Sequence, residues 1–146
     1  MAGVFDNPVF PYFAFYATVV VLKTMAMTLV IAFHRLTKRV YINPEDASGL
    51  GAPKPTTHES VERVRRCHMN DLENVIPFVL IGLLYTATGP SLGSALLHFR
   101  IFTGARFFHT IAYLLPLPQP SRVLGFLAGL LATVSMAWSI LSATKY

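Results

Sequence analysis

Two sets of polar residues in this 146-residue chain are spaced to act together. Arg63, Arg66, Asn70, Glu73 and Pro77 follow one another at steps of three, four, three and four. That spacing puts them on one face of an α-helix. Arg106, His109 and Tyr113, at steps of three and four, form a second stripe. Each of these three can donate a hydrogen bond, and an arginine held away from water needs a counter-charge. Glu73 is the natural partner for Arg106 if the two helices are neighbours, and the pair then either binds a ligand or simply locks the bundle.

The polar inventory asks for an anionic, partly extended ligand. Arginines at helix ends clamp carboxylates, because the planar guanidinium fork matches that geometry. Glu73 and Asn70 would receive an ammonium or an amide, leaving Tyr113 and Arg122 for a group at the other end. Glutathione, with two carboxylates, an amine and a thiol, fits this inventory, although the inventory alone does not select it over other anions. Other chemistries find little support. No H-x-x-x-H, C-x-x-C or H-E-x-x-H spacing occurs, so no metal is expected. G-x-S-x-G and P-loop motifs are also missing from the sequence. Cys67 and His68 are adjacent, hence about 100° apart around a helix and poorly placed for a dyad. Cys67 reads as a small apolar filler, His98 as a packing residue, and Arg100 lies off the Arg106 face.

The elements that must position these residues are helices in a membrane. Of the residues, 53% are hydrophobic and only 13% charged, against about 25% charged in a soluble domain. Disorder, collagen and a disulfide-stapled module are excluded by composition, and the one cysteine cannot form an internal disulfide. The net charge of +5 is placed at helix ends and within apolar segments, which suits membrane topology better than nucleic acid. The expected fold is an all-α integral membrane protein, a single domain over 1–146 built as a four-transmembrane-helix bundle. The helices fall at approximately 9–38, 61–88, 92–115 and 121–144.

The first apolar run is interrupted by one charge, Lys23, and reads as a retained helix. No basic residue precedes it, and Asp6 lies where a signal peptide carries positive charge. Residues 41–60 are punctuated by Pro44, Gly49, Gly51, Pro53 and Pro55, which predicts an aqueous loop. The helix over 61–88 has a charged first half that projects beyond the bilayer. Whether its polar stripe faces a cavity or merely snorkels to the headgroups is left open by the spacing. Gly89-Pro90-Ser91 predicts a tight turn, and Pro116, Pro118 and Pro120 a stiff connection. Gly125, Ala128, Gly129, Ala132 and Ser135 permit close packing of the last helix. Arg35, Lys38, Arg39, Lys54, Arg63, Arg65, Arg66 and Arg122 flank the first and third connections, which therefore face the cytosol, both termini lying opposite.

At these residues the chain resembles the membrane-associated proteins of eicosanoid and glutathione metabolism, the MAPEG family. The resemblance is carried by Val61-Glu62-Arg63-Val64-Arg65-Arg66-Cys67-His68-Met69-Asn70-Asp71-Leu72-Glu73-Asn74. It is supported by Asn43-Pro44-Glu45-Asp46, Gly104-Ala105-Arg106, His109-Thr110-Ile111-Ala112-Tyr113 and Pro116-Leu117-Pro118-Gln119-Pro120-Ser121-Arg122. It covers nearly the whole chain in order, the first helix matching mainly by hydropathy. It implies a homotrimer with glutathione sites between neighbouring subunits, facing the cytosol. By motif position Arg35, Arg65, Arg66, His68, Asn70, Glu73, Arg106, His109 and Tyr113 would bind glutathione. Arg122 matches the family's thiolate-stabilising arginine, with Tyr113 as a second catalytic donor. Asp46 matches an acid implicated in the prostaglandin E synthase branch.

The implied activity is glutathione transfer to hydrophobic electrophiles, with a glutathione-dependent peroxidase activity toward lipid hydroperoxides, both kinds of substrate drawn from the bilayer. The alternatives are an eicosanoid synthase of prostaglandin E or leukotriene C type and a non-catalytic lipid-binding adaptor. Met69 and Val123 stand where the prostaglandin synthase branch has arginine and serine, which favours the transferase. Ala47 occupies a position that is a modification-sensitive cysteine in some transferases of this type. The implied location is the endoplasmic reticulum membrane, with the mitochondrial outer membrane as a second site.

Overall fold

The computed structural model describes residues 7–49, 51 and 56–144. Asp6, Pro53, Lys54 and Pro55, which entered the sequence reading, lie outside the described residues. Four long helices account for most of the described chain: α1 (Phe10–Lys38), α3 (Glu59–Ala87), α4 (Leu92–Leu114) and α5 (Ser121–Ala143). A short helix, α2 (Pro44–Gly49), sits between the first two. The four long helices match the expected spans to within two residues at each end. The α2 helix is a departure, since the segment 41–60 is predicted as a loop. Its proline occupies the first helical position, where no backbone N–H is needed, and Glu45 and Asp46 fill a first turn that favours negative charge.

Local chemistry sets the other boundaries. Arg39 closes α1 in the left-handed conformation, at φ 51° and ψ 45°. His58 caps α3 by accepting a hydrogen bond from the Ser60 backbone N–H at 3.1 Å. Gly89, at φ +67°, makes the tight turn to α4, and Ser91 caps that helix by accepting from the Ser94 backbone N–H. The chain therefore runs up, down, up and down. The end of α1, the start of α3, the end of α4 and the start of α5 all gather at one end of the bundle.

The central helix is α3, which packs against α1, α4 and α5. Its buried residues Val61, Val64, Cys67, Asp71, Val75, Phe78, Gly82 and Tyr85 recur every three or four positions. Phe78 stacks on Phe102 with ring centroids 3.8 Å apart, and Phe13 and Phe99 complete an aromatic core. Toward the other end Met27, Val64 and Cys67 pack with Tyr113 and Leu114. Between the two clusters lies a buried polar layer containing Thr24, Asp71, Asn74, Arg106 and His109.

By length and hydropathy alone, α1 and α5 each qualify to cross a membrane. The α3 and α4 helices carry charge that lowers their hydropathy. The outer surface is nevertheless apolar on every long helix: Leu29, Phe33, Leu80, Leu84, Ile101, Leu131 and Trp138 are all exposed, Leu29 by 72%. Large exposed apolar areas of this kind mark contact with lipid or with another chain.

Candidate functional site

The end of the bundle where α1, α3, α4 and α5 converge carries almost all of the polar residues singled out by spacing. Three concavities open there, and Arg66, Asn70, His109 and Tyr113 of the two stripes line them. The first, about 250 Å³, lies at the end of α1 and is lined by Arg35, Tyr41 and Asp46. Arg35 Nη2 donates to Asp46 Oδ2 at 3.5 Å, and Asn43 Nδ2 donates to the same oxygen at 3.1 Å. The second, about 280 Å³, lies against α3 and is lined by Ile31, Glu62, Arg65, Arg66, His68 and Met69. Here Arg65 Nη1 pairs with Glu62 Oε1 at 2.9 Å and Arg66 Nη2 with Glu59 Oε1 at 2.8 Å. Both pairs are solvent-exposed and easily exchanged for another carboxylate.

The third concavity, about 240 Å³, is an open groove between α3, α4 and α5, lined by Asn70, His109, Tyr113, Gln119, Arg122 and Val123, with Phe126 below. His109 and Tyr113 lie 5.5 Å apart, ring to ring, and the Arg122 guanidinium sits 5.1 Å from the Tyr113 ring centroid. Among the described residues Arg122 makes no ion pair, and its Nε is buried without a partner. A half-buried arginine beside an aromatic face, free of any carboxylate, is ready to take an anion. The close seating of α5 on α4 depends on Gly125, where an added Cβ would come within 3.1 Å of the His109 Cα.

Arg106 sits behind this groove. It is fully buried, and its Nη2 donates to Asn70 Oδ1 at 2.9 Å and to Asp71 Oδ1 at 2.7 Å. Lys23 of α1 pairs with the other Asp71 oxygen. The counter-charge expected for Arg106 was Glu73; the structure places Asp71 there instead. Two residues along a helix turn through about 200°, so Asp71 faces α4 while Glu73 looks away from the bundle. Glu73 is exposed on the outer face of α3, apart from all three concavities, and makes no ion pair among the described residues. Pro77, four residues on, removes the backbone donor that the Glu73 carbonyl would otherwise receive.

The stripe on α4 is as expected, with Arg106, His109 and Tyr113 on one inward face. The α3 stripe divides: Asn70 turns inward to the third concavity and to Arg106, Arg66 lines the second, and Glu73 and Pro77 face out of the protomer. Lys23, Asp71 and Gln119 were missed. The signal for the first two was present: a lone charge in an apolar helix requires a partner, and Asp71 falls in register with Val64, Cys67, Val75 and Phe78. Cys67 is buried, its Sγ 3.9 Å from Thr110 Oγ1, as a filler should be. His98 bridges the Ser94 carbonyl and Ser135 Oγ, and Arg100 donates to the Tyr16 hydroxyl, both remote from the site. Among the described residues no group of three or more His, Cys, Asp or Glu is arranged around a metal position.

Residues 13–142 match the sequence model of the MAPEG family. The chain belongs to the MAPEG family. Its membership accords with the two membrane-length helices and marks the chain as a membrane protein. Among its relatives is the microsomal glutathione S-transferase 1 of Sus scrofa, 54% identical over 145 residues, covering 96% of this chain and 94% of that protein. The Homo sapiens protein of the same name is 51% identical over 151 residues, covering 100% and 97%. The Homo sapiens prostaglandin E synthase is 36% identical over 139 residues, covering 94% and 91%.

Proposed function

We propose that this chain is a membrane-bound glutathione transferase whose thiolate site is the groove of Asn70, His109, Tyr113 and Arg122. The observation that carries the site is the Arg122 guanidinium, partly buried, without a carboxylate and seated beside the Tyr113 ring. The activity follows the microsomal glutathione S-transferase 1 proteins, which match nearly end to end.

The chain is read as one domain of four spans, assembled as a homotrimer. Support comes from the apolar outer surface of all four helices and from Glu73, a carboxylate about 21 Å along α3 with no ion pair among the described residues of its own protomer. An unpaired carboxylate at that depth is costly against lipid and calls for a neighbouring subunit. The three concavities open outward, as expected if arginines of one protomer and Arg122 of the next enclose a single ligand. Arg35, Arg65 and Arg66 would hold the glutathione carboxylates, with His68, Asn70 and Glu73 completing the clamp. The basic ends of the helices support a site on the cytosolic side, and the membrane is read as that of the endoplasmic reticulum, with the mitochondrial outer membrane as a second location.

The chemistry needs little more. A free thiol with a pKa of about 8.5 is only a few per cent ionised at neutral pH. Lowering that value by roughly two units takes about 2.7 kcal/mol of preferential thiolate stabilisation. A single guanidinium in a partly dry groove supplies an effect of that size, with the Tyr113 hydroxyl as a second donor. The thiol proton leaves to solvent. The sulfur then bonds to the electrophilic carbon of an apolar substrate taken from the bilayer, and the leaving group departs with its electron pair. A lipid hydroperoxide would be reduced at the same position: the thiolate takes the terminal oxygen as the O–O bond breaks, the lipid leaves as its alcohol, and a second glutathione converts the sulfenic acid to the disulfide and water.

The test is conjugation of glutathione to an activated dinitrophenyl halide by the purified protein and its Arg122→Ala variant. Turnover by the parent and a loss of about a hundredfold in the variant are expected. Equal turnover would remove Arg122 from the mechanism. Glutathione binding without turnover would favour a specialised synthase, and no binding would favour the adaptor.

A further inference from the structure

Arg106 has no atom free to act as an acceptor, because a guanidinium only donates. One consequence follows from its contacts. The Asn70 atom 2.9 Å from Arg106 Nη2 must be the carbonyl oxygen, which leaves the Asn70 amide N–H groups for the groove that this residue lines. The His109 Nδ1 lies 3.4 Å from the same nitrogen, whose two hydrogens go to the shorter contacts with Asn70 and Asp71. Asn70 is thereby set as a donor to the groove by one side chain behind it. That side chain is in turn oriented by Asp71, which is fully buried and takes Arg106 on one oxygen and Lys23 on the other.

We propose that Asp71 is a positioning residue for the thiolate groove: by anchoring Arg106 it fixes the orientation of the Asn70 amide, so that the groove presents its N–H donors to an anionic ligand. This rests on the reading that the groove holds glutathione. Lys23 serves a different end. Two cations around one carboxylate leave the cluster with a net positive charge, and Lys23 ties the carboxylate to α1 while Arg106 ties it to α4. The arrangement makes the groove selective for acceptor-rich anions and poor at holding a cationic or donor-rich group. Asp71 itself does not line the groove, so it acts through Arg106 and not on the ligand.

The experiment compares the parent, Asp71→Asn, and the double variant Lys23→Met with Asp71→Asn, each purified in detergent. The single variant leaves two buried cations without a carboxylate. The double variant restores the parent's net charge but not the carboxylate that orients Arg106. Four quantities are read: melting temperature, KM for glutathione, KM for the electrophile, and the ultraviolet difference absorbance of the bound thiolate. Expected for both variants is a rise of roughly tenfold in KM for glutathione, with a diminished thiolate absorbance and an unchanged KM for the electrophile. The double variant should recover most of the melting temperature without recovering glutathione affinity. If the single variant does not fold, the double variant decides alone. Glutathione affinity unchanged in the single variant, or restored together with stability in the double, would overturn the proposal. Failure of the parent itself to bind glutathione would instead overturn the functional reading on which the proposal rests.

Discussion

The seating of α5 on α4 gives a prediction with a built-in control. At Gly125 an added Cβ would meet the His109 Cα and Cβ at 3.1 Å and its backbone nitrogen at 3.2 Å, closer than ordinary van der Waals contact. The obstacle is backbone and cannot rotate away, so α5 must retreat by a few tenths of an ångström. At Gly129, one turn further along the same helix, an added Cβ would meet only Arg106 Cδ and Phe102 carbons at 3.6 Å or more, which is ordinary contact. Both glycines lie inside α5, so Gly→Ala brings the same gain of about 1 kcal/mol in helix propensity. Gly125→Ala alone adds an overpacking cost of about 1–3 kcal/mol. For a chain of this length the two variants should melt roughly 3–10 °C apart, Gly129→Ala being the more stable. Function should separate them too. Arg122 lies one turn before Gly125, so a retreat of α5 moves its guanidinium off the Tyr113 ring. A misplacement well under 1 Å should lower kcat/KM for glutathione conjugation by about three- to tenfold. Thermal unfolding followed by fluorescence, with steady-state conjugation on the same preparations, measures both. If the two variants melt together and turn over equally, the close approach of α5 to His109 is not what positions Arg122.

Two further outcomes are expected. Glu73→Gln should raise KM for glutathione by roughly five- to tenfold while leaving the melting temperature near the parent's, since Glu73 has no ion pair among the described residues; lost stability with unchanged KM would make it a structural residue. Thiol-alkylating reagents should leave conjugation unchanged in the folded protein, because Cys67 is the only cysteine and is fully buried; activation by alkylation would show that the region around Cys67 opens.

The long helices were legible because each signal is local: apolar runs of membrane length, a glycine turn, prolines at the connection, and step-three-and-four spacing of the polar residues. The inward face of α4 was legible for the same reason. The choice between Asp71 and Glu73 as partner for Arg106 was not settled by proximity in sequence, because the two sit on opposite sides of α3. It depends on which face of α3 meets α4. The register of Val61, Val64, Cys67, Val75 and Phe78 contains that answer, and the polar stripe drew attention from it. The α2 helix was hidden by the prolines and glycines that surround it, although Pro44, Glu45 and Asp46 are themselves a helix start. The proposed ligand clamp is the least legible part, since spacing along the chain does not say which of the three concavities would close on one ligand.

The pairing of Lys23 with Asp71 bears on how the chain is made. A lysine near the middle of an apolar helix costs about 2.5–3.5 kcal/mol to place in the bilayer. Its carboxylate partner is synthesised 48 residues later, which at about 5–20 residues per second is a delay of several seconds. During that interval α1 carries an ammonium with nothing to neutralise it. The helix is therefore best retained beside the insertion machinery until α3 emerges, so that the two enter the lipid as a pair. A chain truncated before residue 71 would be left with an orphaned charge in its first helix, and that charge gives quality control a means of recognising it.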